Sequence, residues 1–382
     1  MDRANMDRRE FLACSAAAAG ALTLSPRQEE ARRIKVGVIG CGNVSYSYLP
    51  HLMKCPHAEV VSLCDIIPER AEGLAKRHRI PNTYPHIDKM LAGAPFDLLV
   101  NLTDMQEHEK LNRQAVGAGK HVWSEKPMAG SLEGGESLLA LAREKNVRIW
   151  GAPVTVQSPQ FAFMAKTIAG GALGRLAAAH ASYGHGGAHW SSFFYEEGGG
   201  SMPDLGVYSI TTLTGLLGPA KSVTAMTGIV TPVREIQGKG EVRAVAEDNA
   251  MLVLDHGDNG LSHVQCGFSY FTARGHDDTA HTLTLIGTKG TLGLVGHDWG
   301  PQGVDLATHD RPAYRREAAE KGSYAWQGGG SLAAECLATG KELLCTPEHA
   351  LHVVEIITGA RESQAAGRRV PLRSKFKWPL LS

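Results

Sequence analysis

Apolar strands and amphipathic helices alternate along the first 150 residues of the sequence. Runs rich in Val, Ile and Leu predict buried β-strands at 34–40, 59–64, 96–102, 121–124 and 147–150. Apolar residues at helical spacing predict α-helices at 68–78, 107–118 and 131–145. Strands that alternate with helices form a parallel sheet with helices on both of its faces. This part of the chain is therefore predicted to be a doubly wound α/β domain.

The second part of the chain has a different pattern, in which pairs of short strands enclose glycine turns. Two such pairs are 250–255 with 261–267, and 282–286 with 291–295. Strands joined by short glycine-containing turns are typical of β-hairpins. The sequence therefore predicts antiparallel sheet structure in this part of the chain.

The first predicted strand runs directly into a glycine-rich loop. Residues 40–45 read Gly-Cys-Gly-Asn-Val-Ser. In such a loop the first glycine permits a tight turn, the second lets a pyrophosphate approach the backbone, and the third position, here Ser45, needs only a small side chain. The following helix would present free N–H groups and its positive dipole end to the phosphates. The residues assigned to cofactor binding in this loop are Gly40, Gly42, Asn43 and Val44.

An acidic residue ends the second predicted strand. Asp65 stands where the carboxylate of a dinucleotide-binding (Rossmann) domain accepts hydrogen bonds from the adenosine ribose. A carboxylate would repel a 2′-phosphate, and the next residues, Ile66 and Ile67, offer no arginine to receive one. The sequence therefore favours NAD over NADP. The alternative role of Asp65 is to cap the helix that begins at Pro68.

Residues 1–25 are interpreted as a leader that does not belong to the fold. Arg8 and Arg9 precede an alanine-rich apolar segment that ends near Leu24, and this arrangement resembles a twin-arginine (Tat) export signal. The alternative is a basic N-terminus with an alanine-rich helix. The apolar run is shorter than the roughly 20 residues that span a bilayer, so no membrane span is expected. We expect the Tat machinery to export the protein to the periplasm or another extracytoplasmic space.

The charge balance and the cysteine content of the chain argue against some classes of binding partner. The 382 residues contain 39 Lys+Arg and 39 Asp+Glu, and this balance argues against nucleic-acid binding, which needs a basic surplus or stripe. Of the 7 cysteines, Cys14 lies in the leader and the others form no C-x-x-C motif. Neither a zinc site nor a disulfide framework is predicted. Unpaired thiols in an exported protein favour folding before export.

A signature near the end of the first domain resembles a known family. Residues 119–127 (Gly-Lys-His-Val-Trp-Ser-Glu-Lys-Pro), 198–208 and 346–370 are similar to the glucose–fructose oxidoreductase/inositol dehydrogenase (Gfo/Idh/MocA) family. The resemblance covers nearly all of the chain after the leader. It implies an NAD-binding Rossmann domain over 32–150, and an α+β domain with a large, mostly antiparallel open sheet over 151–382.

The resemblance also implies partners and further site residues. In the family the large sheet usually mediates dimerisation, so a homo-oligomer, either dimer or tetramer, is expected. Thr103 and His108 match the family's cofactor-binding region, although Asp104 stands where the family commonly has proline.

The candidate catalytic group is Lys126, which ends a predicted strand where open α/β sheets bind their ligands. In the family the lysine of this motif lies beside the nicotinamide and the reacting hydroxyl, and Glu125 is expected to position Lys126 or the nicotinamide. The alternative is a surface lysine in a turn.

Asp204 and Tyr208 are spaced to share one face of a helix. The family commonly has Asp and His at this spacing, and here the His is replaced by Tyr208. A phenol has an ordinary pKa near 10, and a neighbouring ammonium is expected to lower it. We predict that Lys126 and Tyr208 share proton transfer, while Asp204 orients the substrate or Lys126. The alternative for Tyr208 is a core aromatic residue.

A glycine-rich loop at 184–190 supplies candidate substrate-binding residues. Imidazoles bind hydroxyl groups and an indole packs on the C–H face of a sugar, so His185, His189 and Trp190 suit a polyol. The alternative is that they are ordinary loop residues. No metal site is predicted, because the spacing of the two histidines signals a shared face only on a helix, and the glycines argue against one.

These patterns predict an NAD-dependent sugar or polyol oxidoreductase. An exported enzyme has little free NAD around it, so the cofactor is expected to remain bound. A redox-neutral glycosidase cycle of oxidation, elimination, water addition and reduction is the alternative enzymatic function, and it needs no carboxylate pair. A sugar-binding relative without catalytic activity is a third possibility.

Overall fold

A six-stranded parallel sheet forms the N-terminal part of the structure. The computed structural model describes residues 33–271, 281–320 and 322–381, so the leader, with its twin-arginine motif, lies outside the described residues. The strands are β1 (Ile34–Ile39), β2 (Ala58–Cys64), β3 (Asn82–Tyr84), β4 (Leu98–Asn101), β5 (His121–Ser124) and β6 (Ile149–Gly151). Their order in the sheet is β3-β2-β1-β4-β5-β6. This is the Rossmann order, which reverses between β1 and β4 and places ligands there.

Helices cover both faces of this sheet. They are α1 (Ser45–Lys54), α2 (Pro68–His78), α3 (Ile87–Leu91), α4 (His108–Gly117) and α5 (Leu132–Glu144). The doubly wound fold predicted from the sequence is confirmed, with element ends that differ by a few residues. β3 and α3 were not predicted, because a three-residue strand and a five-residue helix are too short to show a hydrophobic period.

The C-terminal domain is built on a nine-stranded mixed sheet. Its strands are β7 (Leu176–Gly184), β8 (Ser222–Gly228), β11 (Asn249–Asp255), β12 (Leu261–Gly267), β13 (His281–Gly287), β14 (Gly290–His297), β15 (Gly300–Thr308), β16 (Arg311–Glu317) and β17 (Val370–Pro371). β9 (Val233–Ile236) and β10 (Gly240–Arg243) form a separate two-stranded ribbon. The order is β16-β15-β14-β13-β7-β12-β11-β8-β17. Neighbouring strands pair antiparallel except β7 with β12.

Both predicted hairpins are present in this sheet. Ala250 pairs with Cys266 in the first hairpin, and Ile286 pairs with Thr291 in the second. The large, mostly antiparallel sheet expected from the family resemblance is confirmed.

Four further α-helices follow β6 in the described part of the chain. They are α6 (Pro159–Ala169), α7 (Val207–Leu217), α8 (Gly329–Thr339) and α9 (Pro347–Ala366). α7 and α9 pack on one face of the large sheet, and α9 also packs against α5 of the first domain. The other face exposes apolar side chains, which are Met226, Met251, Val253, Leu261 and Ile286. None of the described helices has the length and apolar character needed to cross a membrane.

α8 returns to the first sheet although it follows the second sheet in the chain. It contacts β1, β2 and β5, and Gly330 lies against Leu52 and Val100. The domain boundary at 150/151 stays a prediction. α8 follows this boundary in the chain and yet packs in the core around the first sheet.

Gly329 is expected to tolerate no side chain. A Cβ atom at this position would overlap the indole ring of Trp123, which is fully buried. We expect Gly329→Ala to lower the free energy of unfolding by about 1–3 kcal/mol, as other overpacking substitutions do. Denaturant unfolding measures the change. Gly328→Ala is the matched control, because a Cβ there meets its nearest neighbour, Ala325, at 4.0 Å. Equal stability of the two variants would contradict the packing described here.

Candidate active site

The glycine-rich loop after β1 has the geometry that a dinucleotide needs. Gly40 has φ +89°, and a Cβ there would lie 2.5 Å from the carbonyl group of Leu102, so only glycine fits. A Cβ at Gly42 would meet nothing within 4 Å, which leaves open space above the loop. Ser45, at the third position of the pattern, is fully buried where α1 packs on the sheet. Asn43 and Val44 precede α1, at the end where a helix attracts phosphate.

Asp65 ties this loop to the end of β2. Its Oδ2 accepts the N–H of Cys41 at 2.7 Å, and its Oδ1 accepts the N–H of Ile67 at 2.8 Å. The carboxylate lines a cavity of about 580 Å³ together with Gly40, Gly42 and Thr103. The loop, the carboxylate and this cavity fit the pyrophosphate and adenosine ribose of NAD.

Arg70 lines the same cavity. Arg70 was not predicted from the sequence, because it is not adjacent to Asp65 but lies in the first turn of α2, after the strand end. The helical spacing from Pro68 would have indicated that this side chain can face the strand end.

Replacing Asp65 with serine is expected to raise the Kd for NADH about 10-fold to 100-fold, the equivalent of about 1.5–3 kcal/mol for lost hydrogen bonds to a charged group. Discrimination against NADPH should fall, because the repelling carboxylate is gone while Arg70 remains. Fluorescence titration with both nucleotides measures this. Asp65→Asn is the control that keeps an acceptor for Cys41. An unchanged preference in Asp65→Ser would contradict the assignment.

Thr103 and His108 were both predicted to bind the cofactor, and the structure separates them. Thr103 lines the cavity, and its Oγ1 donates to Asn101 Oδ1 at 2.7 Å. His108 is buried behind it, with its ring nitrogens 2.9 Å from the carbonyl oxygens of Pro127 and Thr103. Because both nitrogens face backbone oxygens, His108 holds the two site loops together and does not face the cavity.

Glu125 is held from behind by a residue that the sequence did not single out. Tyr48, fully buried on α1, donates its hydroxyl to Glu125 Oε1, and Glu125 Oε2 accepts the N–H of Lys126 at 3.1 Å. The peptide bond from Lys126 to Pro127 is cis. Helix α1 therefore supports both the glycine-rich loop that precedes it and, through Tyr48, the Glu125–Lys126 pair.

The structure brings Lys126, Asp204 and Tyr208 together. Lys126 Nζ donates to Asp204 Oδ1 at 2.6 Å and to the Asp204 carbonyl oxygen at 3.2 Å. The same ammonium lies 5.5 Å from the centre of the Tyr208 ring, within the range of a cation–π contact. The side chains of Lys126 and Asp204 are 12% and 13% exposed. An ammonium has three donors, so one remains for a substrate oxygen.

A π-helix sets the position of Asp204. Met202–Gly206 is π-helical and continues into α7, where Tyr208 lies in the first turn. Gly200, with φ +116°, leads the chain into this segment beside the carboxylate of Glu247, whose Oε1 accepts the N–H of Met202 at 3.1 Å. π-Helical turns are frequent at functional sites.

The charges around Lys126 determine its protonation. Burial lowers the pKa of Lys126, but the carboxylates of Asp204 and Glu125 raise it more, so the net pKa lies above the ordinary value. Lys126 is therefore an ammonium at neutral pH. It can hold and stabilise a substrate oxygen, and it cannot accept a proton.

The expectation of a lowered pKa for Tyr208 is wrong. Burial raises the pKa of Tyr208 well above its ordinary value, and the carboxylates of Glu125 and Asp204 raise it further. The ammonium of Lys126 lies over the ring, while the predicted effect required it beside the phenolic oxygen. Tyr208 is therefore a neutral phenol, which can donate and relay a proton.

The loop after β7 brings His185 close to the site. Its Nδ1 accepts the N–H of Gly187 at 3.0 Å, so its proton lies on Nε2. Burial lowers the pKa of His185, the charge of Asp204 raises it, and Arg234 lowers it; the net direction is down. A neutral imidazole with an Nε2–H donor therefore lies near Asp204. Arg234 supports the loop by donating to the Gly186 carbonyl oxygen at 3.1 Å.

His189 and Trp190 lie at the outer end of the same loop. His189 is exposed and Trp190 is 44% exposed. Trp190 packs edge-on against Phe194, with ring centres 5.8 Å apart. The structure thus groups His185 with Asp204 but places these two residues at the surface.

A row of packed aromatic rings near the site, called the aromatic wall below, was not predicted from the sequence. Tyr183 packs on His297 with ring centres 4.5 Å apart, and His297 stacks on Trp299 at 5.1 Å. Trp299 meets Trp326, which in turn meets Tyr48 of α1. Glycines at 296 and 300 flank His-Asp-Trp in the sequence, and this is the turn signal that identifies the loop joining β14 to β15.

Comparisons with known proteins agree with this geometry. Residues 34–152 match the model of the Gfo/Idh/MocA oxidoreductase family, NAD-binding Rossmann fold, and residues 161–293 match the Gfo/Idh/MocA C-terminal domain. The trans-1,2-dihydrobenzene-1,2-diol dehydrogenase of Bos taurus is 23% identical over 70% of this chain and 76% of its own.

Two solved structures share the fold. The aldose–aldose oxidoreductase of Caulobacter crescentus, complexed with glycerol, has a TM-score of 0.75 and 21% identity over 89% of this chain and 100% of its own. The WlbA dehydrogenase of Bordetella pertussis, in complex with NADH and UDP-GlcNAcA, has a TM-score of 0.74 and 23% identity over 90% of this chain and 98% of its own.

Proposed function

The chain belongs to the Gfo/Idh/MocA family of NAD-binding oxidoreductases, and on this premise we propose that it exchanges a hydride between a sugar or polyol carbon and a nicotinamide that stays bound. The observation that carries the proposal is the Lys126–Asp204 pair. Its ammonium lies at the carboxyl end of β5, on the same sheet edge as the glycine loop and Asp65. Ligands of open parallel sheets bind at this edge.

A vicinal hydroxyl compound fits the side chains around the pair. The free donor of Lys126 suits one hydroxyl oxygen, and the Nε2–H of His185 suits another. Tyr183 and Trp299 offer aromatic faces for the C–H groups of a ring. The related proteins support this class, because their names and bound molecules are an aldose, a sugar nucleotide and a dihydrodiol.

The residues of the chain have separate tasks in the proposed reaction. Gly40, Gly42 and Asp65 would hold the pyrophosphate and the adenosine ribose, and the nicotinamide supplies the hydride acceptor when bound. Lys126 holds the substrate oxygen and stabilises negative charge that develops on it. Tyr208 donates or relays the proton, and Asp204 fixes the ammonium.

We also propose that the protein is exported and that it forms a homo-oligomer. The twin-arginine motif at Arg8 and Arg9 supports export of the folded protein with its cofactor. The apolar residues on the open face of the large sheet, such as Met226 and Met251, support a homo-oligomer, because large apolar patches commonly mark interfaces.

The test separates this function from the alternatives. The purified protein is denatured to measure released NAD(H), and the native protein is incubated with free sugars plus NAD and, separately, with aryl glycosides without added cofactor. Reduction of the bound nicotinamide by free sugars, with no aglycone released from the glycosides, supports the proposed function. Aglycone release without net NADH would replace it with the redox-neutral glycosidase, and the absence of nucleotide and of both activities would leave a binding protein.

A further inference from the structure

The turn between β14 and β15 carries a buried carboxyl group beside the candidate active site. Asp298 is 3% exposed, and its Oδ2 has no hydrogen-bond partner among the described residues. Burying an unpaired carboxylate costs several kcal/mol. A carboxyl group at this position is therefore either protonated or ionised for a functional reason. Its neighbours in the turn, His297 and Trp299, stack on each other and form part of the aromatic wall.

Asp298 lies against α7, the helix that carries Tyr208. The hydroxyls of Ser209 and Thr212 face its carboxyl group, and Thr212 Oγ1 donates to the Tyr208 carbonyl oxygen at 3.1 Å. The Tyr208 ring lies under the ammonium of Lys126. Lys126 and Asp298 therefore both act on Tyr208: the ammonium lies 5.5 Å from the ring centre, and the charge of Asp298 raises the pKa of the phenol.

We propose that Asp298 is the proton-holding residue of this site and that it exchanges its proton with the substrate hydroxyl through the phenol of Tyr208. The proposal rests on the oxidoreductase function proposed above. In oxidation, the electron pair of the substrate C–H bond leaves with the hydride to the nicotinamide. The substrate O–H proton moves to Tyr208 Oη, the phenolic proton moves to Asp298, and a carbonyl group remains. Reduction reverses each transfer.

The electrostatics of the site favour Asp298 over the other groups. Lys126 stays an ammonium and Tyr208 stays a phenol, because the pKa of each is raised. Burial raises the pKa of Asp298 to about 6, and the Ser209 and Thr212 hydroxyls partly oppose this. Asp298 therefore changes its protonation near neutral pH.

The surroundings of Asp298 contain neutral groups. The other titratable groups whose pKa it raises are the phenols of Tyr183 and Tyr324, which burial keeps protonated. The pKa of the adjacent His297 is lowered by burial, so it remains uncharged. The titration of Asp298 is thus not tied to an opposite charge beside it.

Asp298→Asn tests the proposal in both directions of the reaction. Oxidation by the wild type should lose activity as the pH falls through about 6, because Asp298 must be ionised to accept a proton. Reduction should lose activity as the pH rises through the same range. In Asp298→Asn, kcat should fall about 100-fold and both limbs should disappear. Unchanged pH profiles in this variant would overturn the proposal.

Ser209→Ala is a second variant that keeps the carboxyl group. Loss of a hydroxyl that lowers the pKa of Asp298 should move both limbs to higher pH without removing them. A variant with a purely structural effect would lower the rate at every pH and leave the limbs in place, and that result would contradict the proposal.

Infrared titration separates this proposal from the function on which it rests. The carbonyl band of a protonated carboxyl should appear with a midpoint near pH 6 in the wild type and be absent in Asp298→Asn. Its presence with no turnover of any alcohol or ketone would refute the proposed function and keep Asp298 as a proton-holding group. Turnover without such a band would refute the assignment of Asp298 alone.

Discussion

Replacing Lys126 with methionine is expected to lower kcat by about three orders of magnitude, within the range for a lost group that stabilises developing charge. The substitution keeps the length of the side chain and removes the ammonium that binds Asp204 at 2.6 Å. The substrate oxygen then has no cation beside it in a site that is largely closed to water. Steady-state kinetics with saturating NAD and sugar measure the effect.

Two controls make the Lys126 result specific. Lys145→Met removes an exposed ammonium paired with Glu144 and should leave kcat unchanged. NADH affinity should persist in Lys126→Met, because the glycine loop and Asp65 are untouched. A Lys126→Met enzyme with nearly full kcat would contradict a role for Lys126 at the reacting oxygen.

Tyr208→Phe is expected to lower kcat by about 100-fold, as the loss of one proton-transfer group does. The phenyl ring keeps the contact 5.5 Å from the Lys126 ammonium, so the variant removes only the hydroxyl. Stopped-flow and steady-state rates across the pH range measure the effect. Tyr208→His should restore part of the rate, because imidazole also carries a proton, and thermal unfolding should show that both variants are folded.

One result for Tyr208→Phe would contradict a role in proton transfer. If Tyr208→Phe keeps full turnover with the pH profile of the wild type, the phenol takes no part in proton transfer. Tyr208 would then be a core aromatic residue that supports Lys126 through its ring.

The features predicted from the sequence depend on residues close together in the chain. The strand–loop–helix unit around Gly40 and the strand that ends at Glu125–Lys126 show their hydrophobic period and turn residues locally. Asp204 lies in a π-helical segment that continues into the α-helix of Tyr208, so the two residues are close along the chain as their spacing predicts. Each of these predictions needed no knowledge of how distant segments pack.

The features that were missed depend on packing between distant segments. Tyr48 of α1 meets Glu125, the residue after β5, and this contact joins residues 77 positions apart. Asp298, in the turn between β14 and β15, meets the hydroxyls of Ser209 and Thr212 on α7, which are distant from it in the chain. The direction of the Tyr208 pKa required the position of the ammonium relative to the ring, which residue spacing does not contain.

A single-turnover experiment tests whether a sugar or polyol transfers a hydride to the nicotinamide. The NAD-loaded protein is mixed rapidly with a panel of sugars and polyols, and the absorbance of reduced nicotinamide is followed. We expect a transient or stable rise with at least one substrate, whether the net reaction is a dehydrogenation or a redox-neutral cycle, and no rise in Lys126→Met. Aglycone release or tight sugar binding without reduced nicotinamide at any time would contradict this expectation.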